Sequence, residues 1–160
     1  MAYEIITRDV PVQRVVSLRG LVTRAGLSGF IGSSYDSLFA ALGSLGIPPA
    51  GDPLVIYHEW SPSGIDVEVC LPVDTERPIP PEFEDRVVPA ATVAQTLHVG
   101  PYDELMGAYR ALESWIGERG YEEVGPSRER YIVGPESNLP EADYWTLIET
   151  PVAKSLVIAT

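Results

Sequence analysis

The spacing of apolar residues changes several times along the chain, and each change marks an element. Residues 3–18 read as an extended segment with short apolar runs at Ile5-Ile6 and Val15-Val16. A Gly/Ser-rich stretch over residues 25–34 reads as a loop. From Ser34 onward Leu38, Phe39, Leu42 and Leu45 fall at helical spacing, and Gly46 followed by Pro48-Pro49 stops that helix. Residues 54–60 and 65–73 are rich in strand formers and flank the turn Ser61-Pro62-Ser63-Gly64, which predicts a hairpin.

Residues 74–90 form a charged connector whose prolines disfavour both helix and central strand. Residues 91–99 read as a strand. A second helix begins at Gly100-Pro101, where Pro101 suits the first turn and Asp103 suits the positive end of the helix dipole. Its apolar stripe is Leu105, Met106, Tyr109, Leu112, Trp115 and Ile116, and Gly120 ends it. Residues 128–133 and 144–151 make a second hairpin, and residues 155–159 read as a last short strand.

The chain repeats itself. Tyr35-Asp36-Ser37-Leu38 matches Tyr102-Asp103-Glu104-Leu105, which sets Leu42 opposite Tyr109 and Leu45 opposite Leu112. Tyr57 matches Tyr131, and Pro72-Val73 matches Pro151-Val152. Each half reads strand, helix, strand, strand, and the agreement of two halves is stronger than either alone. The expected fold class is therefore α+β: two pseudo-symmetric repeats forming a mostly antiparallel sheet with two main helices. The boundaries are repeat one over about residues 3–73, a linker over about 74–90 and repeat two over about 91–152, together one domain over 1–160. A ligand pocket is expected between the repeats, since pockets favour such junctions.

Composition narrows the function. Of 160 residues, 11 are Lys or Arg and 23 are Asp or Glu, a net charge of −12. That charge repels phosphate backbones and anionic lipid surfaces, so direct nucleic-acid or membrane binding is not expected. The same charge favours cations and leaves room for a protein partner. One cysteine, Cys70, excludes an intrachain disulfide, and the first residues carry no signal-peptide pattern, which together predict a cytoplasmic protein. His58, His98 and Cys70 are too scattered for a metal site, and neither a phosphate-cradling Gly-rich loop nor a nucleophile elbow is present, so no metal or cofactor is expected.

The second half carries a resemblance. The run His98-Val99-Gly100-Pro101-Tyr102-Asp103-Glu104-Leu105, then Ala108-Tyr109-Arg110-Ala111-Leu112, Trp115-Ile116, Gly120-Tyr121, Gly125-Pro126, Glu129-Arg130-Tyr131 and Pro151-Val152 resembles the GyrI-like family. These are effector-binding modules found at the C-terminus of multidrug-sensing MerR-type and some AraC-type regulators, and also alone. The resemblance implies binding of bulky lipophilic, often cationic, aromatic molecules in an aromatic pocket. It makes Glu129 the pocket acid. The family's second glutamate, after the threonine of the last strand, is replaced here by Leu147 after Thr146. Glu68 occupies the corresponding place in the first half. Tyr57, Tyr131, Trp145, Tyr109 and Trp60 are the candidate aromatic walls. Strand alternation sets Glu129 and Tyr131 on one face, and Arg128 and Arg130 on the other.

The resemblance also implies an alternative chemistry. Some stand-alone members are hydrolases that open cyclopropane-bearing genotoxic natural products, and Glu129 would then activate water or protonate the leaving atom. Others are acidic inhibitors of a basic DNA-processing enzyme.

Overall fold

The computed structural model describes residues 2–156, and its contacts divide the chain into two compact units. Unit 1 comprises the segment before Val12 together with the chain from Ala90 onward, and unit 2 is Val12–Pro89. Two helices are present among the described residues, and none is long and apolar enough to cross a membrane.

Unit 2 runs β2 (Gln13–Val22), α1 (Leu27–Ser44), β3 (Leu54–Ser61), β4 (Gly64–Pro72) and β5 (Glu84–Val88). The strands are antiparallel in the order β3-β4-β2-β5. Unit 1 contributes β1 (Ile5–Val10), then β6 (Ala91–Val99), α2 (Leu105–Glu118), β7 (Tyr121–Glu123), β8 (Arg128–Val133) and β9 (Trp145–Lys154). Its strands run β1-β6-β9-β8, and β7 also pairs with β9. Each unit thus contains strand, helix, strand, strand, as the sequence repeat requires.

Both helices bury a stripe at fourfold spacing: Ser34, Leu38 and Leu42 in α1, and Ala108, Leu112 and Ile116 in α2. Phe39 and Leu45, expected on the first stripe, and Met106, expected on the second, are exposed. Each helix ends before a left-handed glycine, Gly46 at φ 69° and Gly120 at φ 74°. Only glycine takes that conformation without penalty.

The structure corrects several sequence expectations. The segment 3–18 is two strands, broken at Pro11-Val12. Helix α1 starts seven residues earlier than Ser34, inside the stretch read as a loop. Gly29 and Gly32 each cost about 1 kcal/mol there, but tertiary packing offsets this. A Cβ on Gly20 of β2 would lie 3.0 Å from two ring carbons of Phe30, so the α1 ring packs directly on the strand backbone. The connector contains β5, because Pro78, Pro80, Pro81 and Pro89 bracket residues 84–88 without entering them. Ser155 and Leu156 lie outside any strand, and the rest of the expected final strand lies outside the described residues.

The repeat register also changes. Buried stripes and terminal glycines superimpose Leu38 on Leu112, Leu42 on Ile116 and Gly46 on Gly120. Tyr35 is therefore equivalent to Tyr109. Tyr102, its expected match, sits in a separate 3-10 turn, Tyr102–Glu104, ahead of α2. The matches of Tyr57 with Tyr131 and Pro72 with Pro151 hold, since each pair occupies the same place in its strand ladder.

Candidate functional site

Strand β8 reads Arg-Glu-Arg-Tyr-Ile-Val, and its alternation sorts charges to opposite faces. Glu129 pairs with Ile148 and Tyr131 with Thr146. Ile148 packs with Ala94 and Val152 against Ala108, Leu112 and Ile116 of α2. Glu129 therefore lies on the helix-covered face, and it is only 5% exposed. Both carboxylate oxygens accept phenol hydrogen bonds: Tyr109 donates to Oε2 at 2.5 Å and Tyr131 to Oε1 at 2.9 Å. Helix α2 and strand β8 each supply one phenol, so the acid is held from two elements.

Two further tyrosines extend this aromatic surface. The Tyr102 ring meets Tyr131 edge-on at 5.6 Å between centroids and lies 5.3 Å from Tyr144. Burial of the Tyr102 hydroxyl, followed by the charge of Glu136 and the nearness of Tyr144 and Glu129, pushes its pKa up to about 12. The loop between β8 and β9 comes close: a Cβ on Gly134 would lie 2.9 Å from the Tyr102 hydroxyl oxygen.

The other face of the unit 1 sheet holds a second buried acid. Glu149, 2% exposed, accepts from Arg128 Nε at 3.1 Å, Arg130 Nε at 2.8 Å and Gln95 Nε2 at 2.8 Å. Burial lowers the Arg128 pKa; the nearby Glu149 carboxylate opposes that shift. Arg128 Nη2 is buried and has no hydrogen-bond partner among the described residues. Leu147 and Trp145 share this face, opposite Glu129, and Trp145 is 45% exposed.

Unit 2 buries its own acid, Glu68, at 1% exposure. It accepts from Ser17 Oγ at 2.6 Å, His58 Nε2 at 2.7 Å and Arg86 Nε at 2.8 Å. Burial raises the Glu68 pKa, but the bonds from Arg86, Ser17 and His58 outweigh it, and the net shift is downward. The neighbouring Tyr57 points to the opposite face, because Ile56 pairs with Glu68 and Tyr57 with Val67. Tyr57 lies 5.7 Å from Trp60, and the Arg24 guanidinium sits 5.6 Å from the Trp60 ring centre.

Of the residues singled out in the sequence, the structure joins Glu129, Tyr109 and Tyr131 into one constellation. Tyr57 and Trp60 form a separate pair in unit 2. Glu68, Trp145 and Leu147 lie on the helix-free faces of their units. Sequence reasoning missed Tyr102, Tyr144 and the Glu149 cluster. The available signal for Glu149 was a lone carboxylate inside the apolar run of residues 147–152.

Comparison with known proteins identifies the family of this doubled fold. The GyrI-like small-molecule-binding domain matches residues 1–153, and the chain belongs to that family. Among solved structures it is similar to EcmrR in its cryo-EM complex with DNA, at TM-score 0.86 and 28% identity over 96% of this chain. The chain spans 59% of that regulator's length. It also matches the crystal structure of the EcmrR C-terminal domain at TM-score 0.80 and 29% identity, covering 96% of this chain and 99% of that one. The fold is shared with SAV2435 bound to tetraphenylphosphonium, at TM-score 0.68 and 13% identity, covering 96% and 94% of the two chains. No curated protein matches the chain.

Proposed function

We propose that this small-molecule-binding domain captures lipophilic aromatic cations, with Glu129 as the charge partner and the surrounding tyrosines as the rings that face the cation. The observation that carries the reading is a carboxylate 5% exposed whose two oxygens are held by Tyr109 and Tyr131. An acid in such a place is costly when ionised, and a bound cation offsets that cost. Tyr102 and Tyr144 add polarizable ring surface beside it. Each ring facing a cation contributes about 0.5–2 kcal/mol. A neighbour of the same fold binds tetraphenylphosphonium, which is a ligand of this class.

The test is Glu129→Gln, which keeps the side-chain shape and removes the charge. Binding of tetraphenylphosphonium and of the neutral triphenylphosphine oxide is measured by calorimetry. The cation should lose about 2 kcal/mol or more, near 30-fold in Kd. The neutral compound should lose less than about threefold, since apolar burial and ring contacts remain. Equal losses for both ligands, or no saturable binding of the cation by the parent protein, would overturn the proposal. Ring-opened product from an electrophilic cyclopropane compound would replace capture with chemistry at the same acid.

A further inference from the structure

Unit 2 contains an open groove of about 550 Å3, lined by Leu18 of β2, Ser37, Ala40 and Ala41 of α1, and Glu82 and Phe83 of the connector. That volume lies within the range of small-molecule sites. Ser37, Ala40 and Ala41 recur at i, i+3 and i+4, so one helix face presents only small side chains to the groove. Phe83 immediately precedes β5 and is half-buried. The turn that presents it is closed by Phe83 N–H donating to Pro80 O at 3.1 Å.

The internal repeat shows what fills this place in the other unit. Superimposing the helices by Leu42 on Ile116 and Gly46 on Gly120 sets Ala41 on Trp115. The Trp115 indole packs against the unit 1 core and stacks on Tyr121, with centroids 5.6 Å apart and planes 11° apart. Unit 1 thus carries its own two-ring aromatic where unit 2 carries a methyl group and a groove. Ring for ring, the space beside Ala41 matches an indole-sized group supplied from outside, with Phe83 in reach as a stacking partner.

Charge selects among aromatic ligands. Glu82 is the ionisable side chain lining the groove, and it is exposed. The connector's arginines are committed elsewhere: Arg77 donates to the Leu45 carbonyl and Arg86 to Glu68. A positive substituent on the ring therefore meets an acid and, among the lining residues, no cation. We infer that the groove between α1 and the connector is a second ligand site, taking a two-ring aromatic amine with its ring beside Ala41 and its ammonium toward Glu82.

Tryptamine is the probe, with neutral tryptophol as its uncharged counterpart, each titrated into the full chain and followed by amide NMR. Saturable shifts at Leu18, Ser37, Ala40, Ala41 and Phe83 are expected with tryptamine. Ala41→Trp rebuilds the unit 1 arrangement and should abolish them. Ala40→Leu, a milder filling of the same space, should weaken them strongly. Glu82→Gln should weaken tryptamine about threefold, the scale of an exposed charge pair, and leave tryptophol unchanged. Shifts confined to residues outside the groove, or groove shifts that survive in both filled variants, would overturn the site. Equal affinity of the parent protein for the two compounds would overturn the role of Glu82. Signals from Glu129 and Tyr131 read the first site in the same spectra, so the two proposals fail separately.

Discussion

Replacing Glu149 by Gln should destabilise the protein far more than so conservative a change suggests. Glu149 is 2% exposed and accepts three hydrogen bonds, two from guanidinium groups. The amide keeps the volume but removes the negative charge and turns one acceptor into a donor aimed at other donors. Arg128 suffers most, because it is 4% exposed and its Nη2 already lacks a partner among the described residues. Leaving a buried charge without its counter-charge costs about 3–5 kcal/mol. Against a total stability of roughly 5–15 kcal/mol, that is at least about a fifth of the whole. At roughly 2–4 °C per kcal/mol for a chain of this size, Tm should fall by about 6–20 °C. Urea unfolding followed by circular dichroism gives the free energy, and hydrogen exchange should place the loss in β8 and β9. The triple variant Arg128→Met/Arg130→Met/Glu149→Leu should recover most of the stability, since apolar groups of similar volume replace the buried carboxylate and both its guanidinium partners at little cost. A loss below about 1 kcal/mol for Glu149→Gln, or a triple variant as unstable as the single, would refute the reasoning.

Three other outcomes are expected. The folded-state pKa of Glu68 is depressed, so its contribution is present above the unfolded value of about 4.3 and is lost as pH falls through the lower folded value; Glu68→Gln should flatten the acid limb of stability against pH, and an unchanged limb counts against the Arg86, Ser17 and His58 bonds as its cause. Tyr102 should ionise late, near pH 12, and Tyr102→Phe should remove that step from an ultraviolet titration; a titration that loses only an ordinary step near 10 would contradict the burial of its hydroxyl. Gly120→Ala should cost about 1–2 kcal/mol in thermal unfolding, because φ is 74° and a Cβ there meets nothing within 4 Å, which leaves backbone strain as the sole penalty; a neutral effect would show that the helix end relaxes.

Features written in local periodicity were legible in the sequence. The α2 stripe, the 54–73 hairpin and the opposition of Glu129 to Arg128 and Arg130 all follow from spacing within one element. Features set by distant partners were hidden. Helix α1 begins among glycines and serines because Phe30 finds Gly20 on β2, a contact no local propensity reports. Strand β5 exists because β2 offers a free edge, which the prolines around it obscure. The motif Tyr-Asp-x-Leu suggested the wrong repeat register, since its second copy straddles a 3-10 turn and the start of α2. The Glu129 constellation was half legible: its acid and two tyrosines came from the family motif, but Tyr102 and Tyr144 depend on how the β8–β9 loop folds back. The Glu149 cluster needed the pairing of three strands before its members could be seen as neighbours.

Strand β1 is synthesised well before the strand it pairs with. Strand β1 pairs with β6, Ile5 lying opposite Thr96, yet the whole of Val12–Pro89 is made between them. On a ribosome adding about 5–20 residues per second, some 4–16 s separate the two halves of that ladder. During this interval the Val12–Pro89 segment has every strand of its own sheet order β3-β4-β2-β5 and can close before its neighbour is complete. Nascent β1 must wait without its partner, and it carries Arg8 and Asp9 through that wait, charges that discourage pairing with a stray edge. The order of synthesis thus gives the inserted unit a head start in folding and makes the outer one dependent on a strand held in reserve.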